Sequence, residues 1–122
     1  MNLYGNFLSD AVLTSDPNSD TSWILHEDLV YKTSSFAITV PTGFKTDLAS
    51  TPKVLWSILP PFGLYTNAAV LHDFMYSTQP APFIRKDADD IFYHNLLGAG
   101  VIKVKALSMY YAVRMFGDSH WR

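Results

Sequence analysis

In the stretch NAAVLHDFMYS, residues 67–77, His72 and Asp73 stand side by side within an otherwise largely apolar run. An imidazole and a carboxylate are groups that move protons at neutral pH or hold a divalent ion. Asp47 in GFKTDLAS and Asp89 in RKDADDIFYHNLL add two more carboxylates. Together Asp47, His72, Asp73 and Asp89 form a candidate metal set. They offer the nitrogen and oxygen ligands that zinc or manganese accepts, and an open position on such an ion would activate water for hydrolysis. Neighbouring residues on a helix point about 100° apart, so His72 and Asp73 cannot both bind one ion without strain. As a candidate catalytic pair, one is ligand or base and the other its orienter. The chain contains no HExxH or other ligand spacing of high specificity. The competing reading is a buried His–Asp–Arg hydrogen-bond network that fixes helix to sheet.

Other chemistry has less behind it. Ser50 as nucleophile, His72 as base and Asp47 or Asp89 as orienter would make a triad. Ser50 lacks a Gly-x-Ser-x-Gly elbow, and its hydroxyl reads more simply as a cap for the helix opening at Pro52. Asp90 and His94 are one helical turn apart, as a surface metal pair or merely a favourable pair. Tyr76, Tyr110 and Tyr111 could line a pocket for sugar or peptide, or be core residues whose hydroxyls reach outward. His26 and His120 have no constellation around them.

These groups must be positioned by elements that the residue pattern predicts. SWILHEDLVYK reads as two short strands broken near Glu27 and Asp28, and Phe36, Ile38 and Val40 alternate at period two in a third. Pro41-Thr42-Gly43 supplies a turn. TSDPNSDTS, residues 14–22, is a run of turn formers and reads as a loop. Thr51-Pro52 opens a short helix that Pro60, Pro61 and Gly63 stop. Longer helices are predicted over 66–76, over 85–97 with Gly98 and Gly100 ending it, and over 101–116 closing at Gly117. The apolar residues of the first cover nearly its whole circumference, so His72 and Asp73 cannot easily reach water and need partners. On the second, Asp89 precedes Phe92 by three residues and Leu96 by seven, flanking the apolar stripe and facing inward, with Arg85 four residues before it. Arg114 on the last helix is a further counter-ion for the buried acids.

Strands first and helices after predict an α+β fold, a small N-terminal antiparallel sheet packed against about three C-terminal helices. The 122 residues fit one domain. Within it, 1–22 is an arm and loop, 23–48 the strands and 49–122 the helical part. A formal charge of −2 with nine scattered Lys and Arg excludes a general nucleic-acid binder. The absence of cysteine excludes disulfides and thiolate chemistry. MNLYGNFLSDAV lacks the pattern of a signal peptide, and no apolar run approaches a membrane span. The expectation is a soluble protein without a transmembrane segment. The loop TPKVLWSILPPFGLY concentrates Trp56, Leu59, Pro60, Pro61, Phe62 and Leu64, a candidate partner-binding surface if exposed.

The segments VPTGFKTDLASTP, PPFGLYTNAAVLHDFMY, RKDADDIF and YYAVRMFG resemble a family of uncharacterised phage and prophage proteins, domain of unknown function 1353. The resemblance covers roughly residues 23–117 and follows the pattern GFxTDLASxP, AAxxHDxxY and RxxADxxF. Lys53 stands where the family commonly has arginine, which keeps the charge and loses the guanidinium fork. Matching polar positions are Thr46, Asp47, Ser50, His72, Asp73, Tyr76, Arg85 and Asp89, of which Thr46, Ser50, Tyr76 and Arg85, with Arg114, form a supporting network. The resemblance implies a phage or prophage origin in the company of virion and tail genes. The resemblance itself carries no activity, and two functions are expected, the first from that setting and the absence of a strong catalytic motif, the second from the Asp/His set. One is a virion or tail component, in the particle or in the host cytoplasm during assembly, that binds other phage structural proteins or further copies of itself. The other is a small metal-dependent hydrolase, directed at peptidoglycan.

Overall fold

A computed structural model describes residues 1–19, 22–46, 65–118 and Trp121. Six short strands precede three helices: β1 (Asn6–Phe7), β2 (Leu13–Ser15), β3 (Trp23–Leu25), β4 (Leu29–Lys32), β5 (Ala37–Val40), β6 (Lys45–Thr46), α1 (Thr66–Thr78), α2 (Arg85–Gly98) and α3 (Lys103–Phe116). The architecture is α+β, as strands followed by helices require. The strands form two three-stranded antiparallel sheets, ordered β1-β4-β5 and β2-β3-β6. The β3–β4 break falls at Glu27 and Asp28, as the pattern predicts, and the chain crosses there from one sheet to the other.

The β4–β5 pairing sets Leu29 opposite Val40 and Tyr31 opposite Ile38, and all four are buried. The same parity that alternates Ile38 and Val40 inward thus fixes the register. The turn into β6 has Phe44 N–H donating to Pro41 C=O at 3.1 Å, with Gly43 at φ 91°, the left-handed third position of a type II turn. Asp28 Oδ1 accepts from the Thr42 N–H and hydroxyl, both at 2.8 Å.

The region read as arm and loop contributes two strands, a correction to the expected boundaries. β1 and β2 carry no alternating pattern of their own and exist because β4 and β3 present open edges to them. The arm is also pinned by a buried phenol. Tyr31 Oη accepts from the Gly5 N–H and donates to Leu3 C=O, both at 2.9 Å. A Cβ on Gly5 would overlap the Lys32 carbonyl, so only glycine permits this approach.

The helices follow the predicted spans. α1 buries Ala68, Ala69, Val70, Leu71, His72, Met75 and Tyr76, which is the all-round apolar helix placed inside. It ends at Gln79 in the left-handed conformation, φ 45°, just before Pro80. α2 ends in a Schellman motif. Gly100, at φ 96°, donates to Leu97 C=O at 3.1 Å and Val101 N–H donates to Leu96 C=O at 3.0 Å. One core cluster joins Leu25, Leu29, Tyr31, Ile38 and Val40 of the sheets to Val70, Leu71 and Met75 of α1. A second, with Ala69, Phe92, Leu96, Met109 and Val113, joins the three helices. α2 packs against both α1 and α3. Among the described residues no helix is long and apolar enough to cross a membrane.

Candidate functional site

Asp89, on the inner face of α2, has no solvent exposure. Its Oδ1 accepts from His72 Nε2 and from the Tyr76 hydroxyl, both at 2.7 Å. Its Oδ2 accepts from Arg114 Nη1 at 2.8 Å and faces Arg85 Nη1 at 3.8 Å. One carboxylate therefore gathers side chains from all three helices. A bare carboxylate in this position would cost several kcal/mol, on the order of what a buried unpaired ion costs. Burial is the largest single influence on the Asp89 carboxyl and works to raise its pKa. The His72 hydrogen bond and charge, the Tyr76 hydroxyl and Arg114 outweigh it together, and the pKa lies below the ordinary aspartate value. Tyr76 is pushed far above the ordinary tyrosine range by burial and by the Asp89 carboxylate, so it stays a phenol and donates.

The helical faces explain the assembly. His72 and Tyr76 are four apart on α1 and point the same way, their rings 4.4 Å apart. The imidazole also packs on Phe92, with centroids 4.6 Å apart. His72 is 3% exposed, and its Nδ1 has no hydrogen-bond partner among the described residues.

Arg85 does a second job. Its Nη1 donates to Val113 C=O and its Nη2 to Arg114 C=O, each at 3.1 Å. Val113 C=O already accepts from the Gly117 N–H at 2.9 Å, so Arg85 is its second donor, while Arg114 C=O is among the last carbonyls that a helix leaves without an intrahelical partner. Gly117 follows with φ −80°, so it ends α3 without a left-handed residue. Its glycine has a different cause. A Cβ there would lie 2.5 Å from Val113 C=O and 2.6 Å from the Tyr76 hydroxyl.

Of the expected residues, His72, Tyr76, Arg85, Asp89 and Arg114 come together. Asp73 does not join them, because it points away from His72 around α1 and accepts from the Thr46 hydroxyl at 2.7 Å. That bond ties α1 to β6. Asp47, Ser50, Trp56, Leu59, Pro60, Pro61, Phe62 and Leu64, with the helix expected at Thr51-Pro52, lie outside the described residues. Among the described residues no three His, Cys, Asp or Glu side chains form a group able to hold a metal.

The Asp90–His94 pair is not formed. Asp90 accepts from Lys86 Nζ at 2.6 Å and from the Tyr110 hydroxyl at 2.7 Å. His94 stacks instead on Tyr4 of the arm, centroids 4.6 Å apart. The buried polar residues Asp16, Thr33 and Asn95 escaped the sequence reading. Asn95 is 7% exposed and lies seven residues after Ala88 and four after Ile91. The helical-face criterion that singles out Asp89 would also have found it.

A family model described as Protein of unknown function (DUF1353) matches residues 23–113. The uncharacterized protein y4jT of Sinorhizobium fredii (strain NBRC 101917 / NGR234) is 40% identical over 80 residues. That match takes in 64% of this chain and 23% of y4jT, so the chain spans about a quarter of that relative's length. No solved structure matches the chain.

Proposed function

Starting from the fact that this chain belongs to the family described as Protein of unknown function (DUF1353), whose description carries no activity, we propose that it is a phage-encoded virion or tail component that works by binding other particle proteins. The observation that carries this reading is the closure of the Asp89 network. Its carboxylate is sealed and both oxygens accept hydrogen bonds from the protein itself. Four polar residues of the family pattern, His72, Tyr76, Arg85 and Asp89, are thereby spent on joining helices, where catalysis would want them on the floor of an open cleft.

Apolar surface is left outside. Val104, Tyr111, Met115 and Phe116 on α3 are between 57% and 72% exposed. Val104, Tyr111 and Met115 follow i, i+7, i+11 spacing and lie along one side of the helix. Such a stripe on a surface helix is how a partner helix or groove is met. The match to 23% of y4jT also favours a module that operates beside other segments. The phage setting rests on the resemblance.

Density-purified particles from cells producing the chain test the proposal by quantitative mass spectrometry. A fixed copy number per particle is expected. The Tyr111→Asp, Met115→Asp variant should fold with unchanged thermal stability and be lost from particles. Particles lacking the wild-type chain would overturn the reading.

The metal-dependent hydrolase keeps one supporting observation. Asp89 fixes His72 through Nε2 and leaves Nδ1 without a partner among the described residues, the arrangement in which a histidine offers its second nitrogen to an ion. In this version Asp89 orients and Asp47 is the candidate carboxylate ligand, since Asp73 is turned from His72 toward Thr46. Calorimetric titration of chelator-stripped protein with zinc and manganese, beside Asp47→Asn, separates the two. Micromolar binding lost in the variant would favour the hydrolase; heats equal to dilution are expected.

A further inference from the structure

Away from the Asp89 network, a cleft of about 820 Å³ opens where the N-terminal arm meets the start of α1 and the end of α2. Its recognition groups are the carboxamides of Asn6, Asn67 and Asn95, the imidazole of His94 and the carboxylate of Asp10. No Lys or Arg lines it among the described residues. A phosphate or carboxylate ligand would therefore meet Asp10 with nothing to neutralise it. Carboxamides carry donors and acceptors together, which suits neutral hydroxyl and amide groups. Asn67 is oriented by the arm, which leaves one N–H and one lone pair of its carboxamide for a ligand. Its Oδ1 accepts from Ala11 N–H at 2.8 Å and its Nδ2 donates to Asp10 at 3.0 Å. Asn95 lies near the Tyr31 hydroxyl, already engaged by Leu3 and Gly5, and its Nδ2 has no hydrogen-bond partner of good geometry among the described residues.

A second cleft, about 420 Å³, adjoins the first through His94, which lines both. Its walls are Tyr4, Tyr93 and Tyr110 with Leu97 and Leu107. Tyr110 is fixed by its hydrogen bond to Asp90 and packs against Tyr93, with centroids 5.6 Å apart. Tyr4 lies stacked on His94 at the junction. A ligand spanning both clefts must present flat apolar faces to the tyrosines and hydrogen-bonding edges to the carboxamides. An aliphatic chain fails the second demand and a nucleotide brings phosphates that the site repels. A pyranose ring meets both, with C–H faces and hydroxyl edges.

We propose that these joined clefts bind a neutral oligosaccharide, one ring on the tyrosines and the next among the carboxamides. This goes beyond the particle-docking reading and does not depend on it, because it uses neither the Asp89 network nor the exposed stripe of α3.

Gly98 provides a clean test. It lines the larger cleft, its φ is not positive, and a Cβ added there meets nothing within 4 Å. Gly98→Phe therefore adds a ring at the cleft wall without disturbing packing. Calorimetry with chitohexaose and cellohexaose, up to ~1 mM sugar and thus sensitive to modest affinities, compares wild type, Gly98→Phe and Lys105→Ala, an exposed position that lines neither cleft. The expected result is saturable binding of at least one hexasaccharide by wild type and Lys105→Ala, weakened about tenfold or more in Gly98→Phe at unchanged melting temperature. Heats of dilution only with both sugars would overturn the proposal. So would equal binding by Gly98→Phe, or equal binding of a Gly/Ser hexapeptide.

Discussion

Asp89 concentrates the largest single-residue effects expected here. Asp89→Asn keeps the shape of the side chain, removes the charge and leaves Arg114 facing a neutral group. Breaking a buried ion pair from one side costs about 3–5 kcal/mol, and urea unfolding of the variant should show a loss of that order. Tyr76→Phe removes one hydrogen bond to the carboxylate, for which ~1.5–3 kcal/mol is expected by the same measurement. The pH dependence follows from the depressed Asp89 pKa. A carboxyl whose folded pKa lies below its unfolded value contributes stability above the unfolded value, and loses it as pH falls through the folded one. The ordinary aspartate value is near 3.9, so the melting temperature should drop as pH is lowered below about 4. Asp89→Asn should flatten that acid limb; a limb of equal steepness in the variant would assign it to other carboxyls.

At the scale of elements, α3 depends on groups outside itself. Arg85 from α2 holds two of its last carbonyls, and Gly117 lets the Tyr76 hydroxyl approach its end. Gly117→Ala would force Tyr76 or the helix end to shift, and overpacking of this kind costs about 1–3 kcal/mol, measurable by thermal unfolding. Arg85→Lys should lose the carbonyl contacts while keeping the charge near Asp89. How much of this was readable in the sequence divides by the kind of signal. The spans of α1 and α2 and the inward turn of Asp89 were readable, because helical periodicity assigns a face to each residue. The Asp89 partners His72, Arg85 and Arg114 were readable too, since buried charge demands opposite charge. Arg85 as a cap for α3 was not, because backbone carbonyls leave no mark in a residue string. The separation of Asp73 from His72 was implied by the angle between adjacent helical positions, but its partner Thr46 depended on where β6 came to rest. β1 and β2 escaped because two- and three-residue strands carry no period and borrow their conformation from the edges they join. The stack of His94 on Tyr4 escaped with them.

For the molecule as a whole, the arm closes one sheet and builds one wall of the joined clefts. Gly5→Ala should detach it, since a Cβ there collides with β4 backbone and has no flexible neighbour to push aside. Hydrogen exchange should then quicken at Gly5 and Leu8, whose N–H groups donate to Tyr31 and Val30, while α2 stays protected. Equal protection of the arm in the variant would show that the backbone there can yield. The arm's fastenings also carry a consequence for biosynthesis. Gly5 bonds to a phenol 26 residues further on, and β1 pairs only with β4 among the described residues. The ribosome makes Leu3 and Phe7 well before it makes their partners, so these apolar residues travel exposed until the segment around residues 29–32 has emerged. A pause that holds the chain with the arm already outside the ribosome and residues 29–32 still inside it would lengthen the interval in which a chaperone can reach the arm, and a pause after those residues have emerged would not.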